Sequence, residues 1–291
     1  MDDLLDLLHE EGLVTAEEAD AALTAQQTLG GSWLRCLERI SDEPSGLWQR
    51  LARLHGRTVY PSLNAVETLE EAIRTPQGAE PILTRELALM HLTLAQRREG
   101  ELLRLLTPDP FLDLAGTPLW ARAAEVSPTG RGQLTCAVLP PALYRQAVRL
   151  TYPEGLAGPL DLSSRLALTG LVPTRLLLPY QGREDQAVDA GLISEDDYAS
   201  ALAAHLGLPL YAHRPPALTD NVLPEGTLRL HQLYPLEARE DGSLIVLTAA
   251  PPDPTLTLHL QRLSGQRITF EITTRTVVRS LLQKRGPHVH H

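Results

Sequence analysis

The chain has 291 residues, of which 43% are hydrophobic and 21% charged, and its formal net charge is −10. This composition excludes an intrinsically disordered chain, and the acidic balance argues against a surface built to bind nucleic acid. No apolar run approaches the roughly 18 residues of a membrane-spanning helix, and the first residues are acidic where a signal peptide is basic. We therefore expect a soluble, cytoplasmic protein of about two domains that does not insert into a membrane.

The sequence lacks the residue patterns of the common enzyme classes. Lys284 is the only lysine, so neither a phosphate-binding loop nor a Schiff base can use a lysine in the body of the chain. Cys36 and Cys136 are too far apart for a CxxC metal site, and we expect both to be buried, reduced thiols. No motif brings together a nucleophile, a base and an oxyanion donor. The sequence therefore predicts no catalytic residue, no metal and no cofactor, and a protein that is not an enzyme.

The predicted elements begin with helices and continue as a mixture of helices and strands. Leucines between residues 4 and 8 predict a helix that ends at Gly12, since glycine readily adopts a left-handed conformation. Thr15 and Glu18 have the spacing of a capping box, so a second helix should begin there. Ser194 begins the corresponding helix in the second half of the chain. Later segments predict strands at residues 133–139, 244–248 and 267–272, and helices at residues 141–150, 257–263 and 276–283.

Several groups of residues recur in the same order in the two halves of the chain. Gly12 and Val14 correspond to Gly170 and Val172. Further matches pair residues 40–43 with 193–196, residues 99–100 with 241–242, and residues 108–110 with 252–254. Together they indicate a tandem duplication.

A segment rich in proline and glycine, residues 152–159, predicts a linker between two domains. The predicted domains are residues 1–152 and residues 160–286, followed by a tail at residues 287–291. We expect the α+β class, in which each duplicated unit is a small helical bundle followed by a small α/β half with a short sheet.

Basic residues are concentrated near the end of the second half. Residues 262–285 contain six basic residues and one acidic residue. One interpretation is a set of solvated helix and strand faces. The other is a surface that docks an acidic partner, because arginine binds anionic groups through paired hydrogen bonds. The docking interpretation rests on Arg262, Arg267, Arg275 and Arg279.

Part of the second half resembles a known domain family. The residues that carry the resemblance are 199–210, 223–224, 233–236, 241–250, 253–254 and 263–265. This pattern resembles the N-terminal domain of type II secretion and type IV pilus assembly ATPases, the GspE/PilB N-terminal or MshEN family. The resemblance extends over residues 182–285, and residues 1–150 resemble the family more loosely. It implies a regulatory or docking module that precedes a motor ATPase.

Some members of this family bind cyclic di-GMP through a repeated motif that begins with arginine, leucine and glycine. The residues of the first half that fall in register with this motif are Leu4, Leu8, Gly12, Leu13, Val14, Leu23 and Gln26. Asp3 and Leu5 replace its arginine and first glycine, as Asp161 and Ser163 do in the second half. An aspartate in place of the arginine would repel an anionic ligand. The resemblance implies that the remaining candidates for ligand contact are Gly12, Gln26, Leu29 and Gly30.

Two functional hypotheses follow from the resemblance. The leading one is a non-catalytic regulatory or docking module of a type IV pilus or type II secretion assembly ATPase system, which acts through protein–protein contacts. Its partner would be the ATPase motor or an inner-membrane platform protein. The alternative is a cyclic di-GMP sensor with a degenerate binding motif. The chain is either a fragment of a longer ATPase or a separate adaptor, and its sequence does not predict an oligomeric state.

Overall fold

A computed structural model describes most of the chain, namely residues 2–12, 14–40, 44–54, 57–59, 81–97, 102–113, 117–126, 133–216 and 222–285. Over these ranges the chain forms helices together with one four-stranded and one three-stranded sheet. The predicted α+β class is therefore confirmed. The chain divides into two compact units, residues 1–182 and residues 183–291.

The first unit begins with helices, which are α1 (Asp2–Glu10), α2 (Ala16–Leu29), α3 (Trp33–Ile40) and α4 (Pro44–Leu54). Helix α2 begins at the predicted capping box. The backbone N–H of Glu18 donates to Oγ1 of Thr15 at 3.1 Å, and the N–H of Thr15 donates to Oε2 of Glu18 at 2.7 Å. These bonds satisfy two amides that lack partners within the helix, so the predicted start of α2 is confirmed.

The sheet of the first unit lies among the next elements, β1 (Thr58–Val59), α5 (Arg85–His91), β2 (Leu94–Arg97), β3 (Leu102–Thr107), α6 (Pro118–Val126), β4 (Gln133–Val138) and α7 (Pro141–Thr151). Its strand order is β1-β4-β3-β2. Strands β2 and β3 form an antiparallel hairpin, whereas β4 lies parallel to both β3 and β1. Parallel neighbours need a crossover connection, and α6 lies between β3 and β4 in the chain. The predicted strand at 133–139 and helix at 141–150 are confirmed as β4 and α7.

Two aromatic side chains anchor the core of the first unit. Trp48 and Tyr144 are the largest of its fully buried side chains. The indole Nε1 of Trp48 donates to the carbonyl oxygen of Pro108 at 2.8 Å. A buried tryptophan needs such a partner for its N–H group, and this bond connects α4 to the loop after β3.

The predicted linker, residues 152–159, packs against the first unit. The hydroxyl of Tyr152 donates to the carbonyl oxygen of Leu83 at 2.8 Å, and Nη1 of Arg85 donates to that of Gly158 at 2.7 Å. A short helix, α8 (Glu154–Ala157), lies inside this segment, and the two hydrogen bonds connect the residues on either side of it to Leu83 and to α5.

The core of the first unit extends beyond this segment into α9 (Leu162–Gly170), which is followed along the chain by the short helix α10 (Thr174–Leu177). Leu168 and Leu171 belong to the same buried cluster as Trp48. The first compact unit therefore continues to Gly182, whereas the sequence predicts a boundary earlier in the chain. The domain ranges 1–152 and 160–286 stay predictions about the extent of the family's domain.

The second unit contains helices and a small sheet, whose elements in chain order are α11 (Asp185–Asp189), α12 (Glu195–Leu206), α13 (Glu225–His231), β5 (Leu233–Ala238), β6 (Ser243–Thr248), α14 (Pro254–Ser264), β7 (Arg267–Ile272) and α15 (Arg275–Lys284). The strand order is β5-β6-β7. Strands β5 and β6 are antiparallel, and β6 and β7 are parallel. Every residue of the central strand β6 is buried, as expected for a continuous apolar strand that is covered on both faces. The predicted strands and helices of this region are confirmed.

The two units share one order of elements around their sheets. In each, a helix leads into an antiparallel hairpin, and a further helix connects the hairpin to a parallel strand that is followed by a last helix. The outer side of that parallel strand also pairs in both units. Strand β1 lies beside β4, and Leu210 forms an isolated parallel bridge with Ile272 of β7.

Some sequence predictions fall outside the described residues. They include the tail at residues 287–291, the motif residue Leu13 and residues 41–43 of one repeat match. Within the described ranges, no helix has the length and apolar character needed to cross a membrane.

Candidate functional site

The residues predicted to contact a cyclic dinucleotide lie at the two ends of α2. Gly12 follows α1 with a φ of +65°, and its N–H donates to the carbonyl oxygen of His9 at 2.9 Å. Gln26, Leu29 and Gly30 lie together at the other end of α2, where Gly30 caps the helix with a φ of +68°. The 14 residues of α2 span about 21 Å between these two places.

The aspartate that replaces the motif's arginine in the second repeat has a structural partner. Oδ1 of Asp161 accepts a hydrogen bond from the N–H of Ser164 at 2.8 Å and so caps the start of α9. A carboxylate at this place satisfies a helix amide and presents negative charge. Neither this cap nor the separation along α2 favours cyclic di-GMP as a ligand.

One of the four arginines predicted to dock a partner binds its own unit instead. Nη1 of Arg275 donates to Oδ1 of Asp189 at 2.7 Å, and Nη2 donates to Oδ2 of Asp185 at 3.1 Å. The N–H of Thr276 donates to Oε2 of Glu195 at 2.9 Å beside them. The Arg275 side chain is only 21% exposed, so it connects α15 to α11.

The other three arginines, Arg262, Arg267 and Arg279, are exposed on α14, β7 and α15. Arg262 lies beside two exposed leucines, because Leu258 is 56% and Leu263 is 40% exposed. The exposed residues Leu258, His259, Arg262 and Leu263 recur at helical spacing and form what we call the α14 face. A surface that combines apolar and arginine side chains has the composition of a protein–protein interface.

A cluster of charged side chains that the sequence analysis missed lies in the first unit. Glu38 of α3 accepts hydrogen bonds from Nη1 of Arg35 at 2.5 Å and from Nη1 and Nη2 of Arg145 at 2.6 and 2.8 Å. Burial raises the pKa of Glu38, but the hydrogen bonds and charges of Arg145 and Arg35 outweigh this effect and leave the pKa below its usual value. Glu38 is therefore a carboxylate at neutral pH.

These arginines open onto a cavity of about 230 Å³, whose lining residues are Arg35, Arg145, Arg149, Leu168 and Thr169. Nε of Arg145 donates to the carbonyl oxygen of Leu168 at 2.8 Å, and Nη2 donates to that of Thr169 at 3.3 Å. The sequence shows that Arg35 and Glu38 lie three residues apart in α3 and that Arg145 and Arg149 lie four residues apart in α7. It does not indicate that these two helices contact each other.

The described residues contain no group of three or more histidine, cysteine, aspartate or glutamate side chains that could hold a metal ion. Burial raises the pKa of Cys136 to about 11, although Nη1 of Arg57 donates to its Sγ at 3.3 Å. This thiol is therefore protonated at neutral pH and is not a nucleophile.

The comparisons with known proteins include one family model and two similar solved structures. Residues 206–290 match the family model of the MshEN domain. Among solved structures, the N-terminal domain of XpsE is 22% identical, with 43% of this chain and 96% of that chain covered and a TM-score of 0.33. A second crystal form of the same domain is 25% identical, with 38% and 83% covered and a TM-score of 0.30. No curated protein matches the sequence.

Proposed function

We propose that this chain is a non-catalytic regulatory or docking module of a type II secretion or type IV pilus assembly ATPase system. The match of residues 206–290 to the MshEN domain and the resemblance over residues 182–285 support this proposal. The observation that carries it is the α14 face, an exposed helix surface that lies inside the matched segment. In this proposal the chain acts in the cytoplasm and contributes binding rather than catalysis.

The proposal includes two tandem copies of the domain. The shared order of helices and strands around the two sheets supports this part of it, as does the pairing on the outer side of β4 and β7. The family model matches residues of the second copy, as expected when the first copy has diverged further.

The partner that fits the α14 face is an acidic and partly apolar surface of the ATPase motor or of the platform protein. Leu258 and Leu263 would be buried on binding, while Arg262 would pair with a carboxylate. Arginine is enriched at such contacts because its long side chain adds apolar area as well as hydrogen bonds. Arg267 and Arg279 add positive charge that would steer an acidic partner.

Binding of the full chain to the purified motor and to the cytoplasmic part of the platform protein tests the proposal. We expect Leu258→Glu and Arg262→Glu each to raise the dissociation constant at least about tenfold, measured by biolayer interferometry. Arg53→Glu is the matched control, because Arg53 is also an exposed helix residue but lies in α4. Binding of both variants at the affinity of the unmodified chain would refute the α14 face, and no binding of either partner would refute the function.

A further inference from the structure

We propose that the arginine-lined cavity of the first unit binds a phosphate group, either free phosphate or a small phosphate monoester. Three arginines and one glutamate meet there, so the formal charge of the cluster is +2. Arginine stays charged at every physiological pH, and its planar fork matches the oxygens of a phosphate. The residues that line the cavity all belong to the first unit and are different from those of the α14 face, so the inference does not depend on the proposed docking function.

Arg145 is fixed in place before any ligand arrives. Glu38 accepts from both of its Nη atoms, while the carbonyl oxygens of Leu168 and Thr169 accept from Nε and Nη2. These four hydrogen bonds occupy four of its five N–H groups and leave one on Nη1. A donor that is already held in its binding geometry loses little conformational freedom when an anion binds.

Arg149 is the second donor that the cavity offers. It lies four residues after Arg145 on α7, so both side chains emerge from the same side of the helix. Its side chain is exposed and has no hydrogen-bond or ion-pair partner among the residues that the structure describes. A carboxylate orients Arg145, whereas Arg149 pairs with none of the described residues. Together the two side chains can donate hydrogen bonds to a dianion from two sides.

The size of the cavity limits the ligand. Its volume of about 230 Å³ lies below the range of roughly 300–1,000 Å³ that is typical of pockets for drug-sized molecules. A phosphate with a short organic substituent fits this space. Glu38 is already paired with two arginines, so it does not repel an incoming anion as a bare carboxylate would.

Isothermal titration calorimetry of the full chain with inorganic phosphate and with glycerol 3-phosphate tests this inference. We expect saturable binding of one ligand per chain, and the tighter of the two identifies the free anion or the monoester as the natural chemistry. Arg149→Gln should weaken binding at least about tenfold, since it removes a charged hydrogen-bond donor. Arg53→Gln, at an exposed helix position outside the cavity, should leave the affinity unchanged.

Because Arg149 is exposed, we expect its substitution to leave the melting temperature of the ligand-free chain unchanged. Measuring this temperature for each variant checks that the fold is retained. Three results would overturn the inference. They are no saturable binding of either anion, an equal loss in both variants, or binding of malonate as tight as that of phosphate, which would assign the cavity to carboxylates.

Discussion

Replacement of Glu38 by glutamine tests how strongly the ion-pair cluster stabilises the first unit. The substitution keeps the size of the side chain and removes the charge that holds Arg35 and Arg145. Breaking a buried pair by removal of one partner costs about 3–5 kcal/mol. Glu38 is 12% exposed, but the two arginines are 24% and 20% exposed, so water solvates them partly in the variant. We therefore expect Glu38→Gln to lower the free energy of unfolding by about 2 kcal/mol at pH 7.

The pH dependence of this difference has a definite sign. The folded protein holds the pKa of Glu38 below its usual value, so the folded state releases this proton more readily than the unfolded state. The stabilisation is fully present above the unfolded pKa of about 4.3 and is lost as the pH falls through the folded pKa. Glutamine does not titrate, so the difference between the two proteins should shrink below about pH 4.

Urea denaturation at pH 7, 4 and 3 measures these differences. The matched control is Glu125→Gln, because Glu125 also pairs with an arginine three residues away but is 62% exposed. Exposed pairs contribute little, and we expect a change of about 0.5 kcal/mol or less. Equal effects of the two substitutions, or a difference at Glu38 that stays constant down to pH 3, would refute the reasoning.

Three further predictions concern backbone conformation, a thiol and a buried hydrogen bond. Gly265→Ala should destabilise the chain by about 1 kcal/mol, because Gly265 has a φ of +67°, although no atom lies close to an added Cβ. Gly226→Ala in α13 should instead stabilise the chain by about 0.5 kcal/mol. Changes of the same sign in the free energy of unfolding, measured by urea denaturation, would contradict this. Cys136, with a pKa of about 11, should react with a thiol reagent far more slowly at pH 8 in the folded chain than in guanidinium, and equal rates would contradict its protonated state. Trp48→Phe removes the hydrogen bond to Pro108 and should lower the free energy of unfolding by about 2 kcal/mol, so a change below about 0.5 kcal/mol would show that the bond contributes nothing.

Local sequence rules predicted many of the helices and strands. The capping box at Thr15 and Glu18 depends on residues three positions apart, and the alternation in residues 267–272 depends on neighbours. Such patterns act within one element, so the sequence alone reveals them. The linker prediction at residues 152–159 also rested on local composition. Its partners, such as Leu83, come from a distant part of the chain, and no local rule could indicate them.

The candidate sites show the same division between local and long-range information. The excess of basic residues in 262–285 predicted that Arg275 belongs to a basic surface. Its two aspartate partners, however, precede it in the chain by 86 and 90 residues. An arginine count therefore overstates the charge that a partner can reach. The α14 face was only partly predictable, since the sequence showed Arg262 but not which leucines the fold leaves exposed.

The arginine-lined cavity required the folded chain for a further reason. Arg145 and Glu38 are 107 residues apart, and the carbonyl oxygens that complete the bonding of Arg145 come from a third helix. A group of arginines forms an anion-binding site only where the fold provides hydrogen-bond acceptors for some of them and leaves another without a carboxylate. Arg145 is satisfied, and Arg149 on the same helix lacks a partner among the described residues. This difference between two arginines one turn apart is what makes the cavity a candidate for an anion, because one supplies fixed geometry and the other supplies charge that is not yet neutralised.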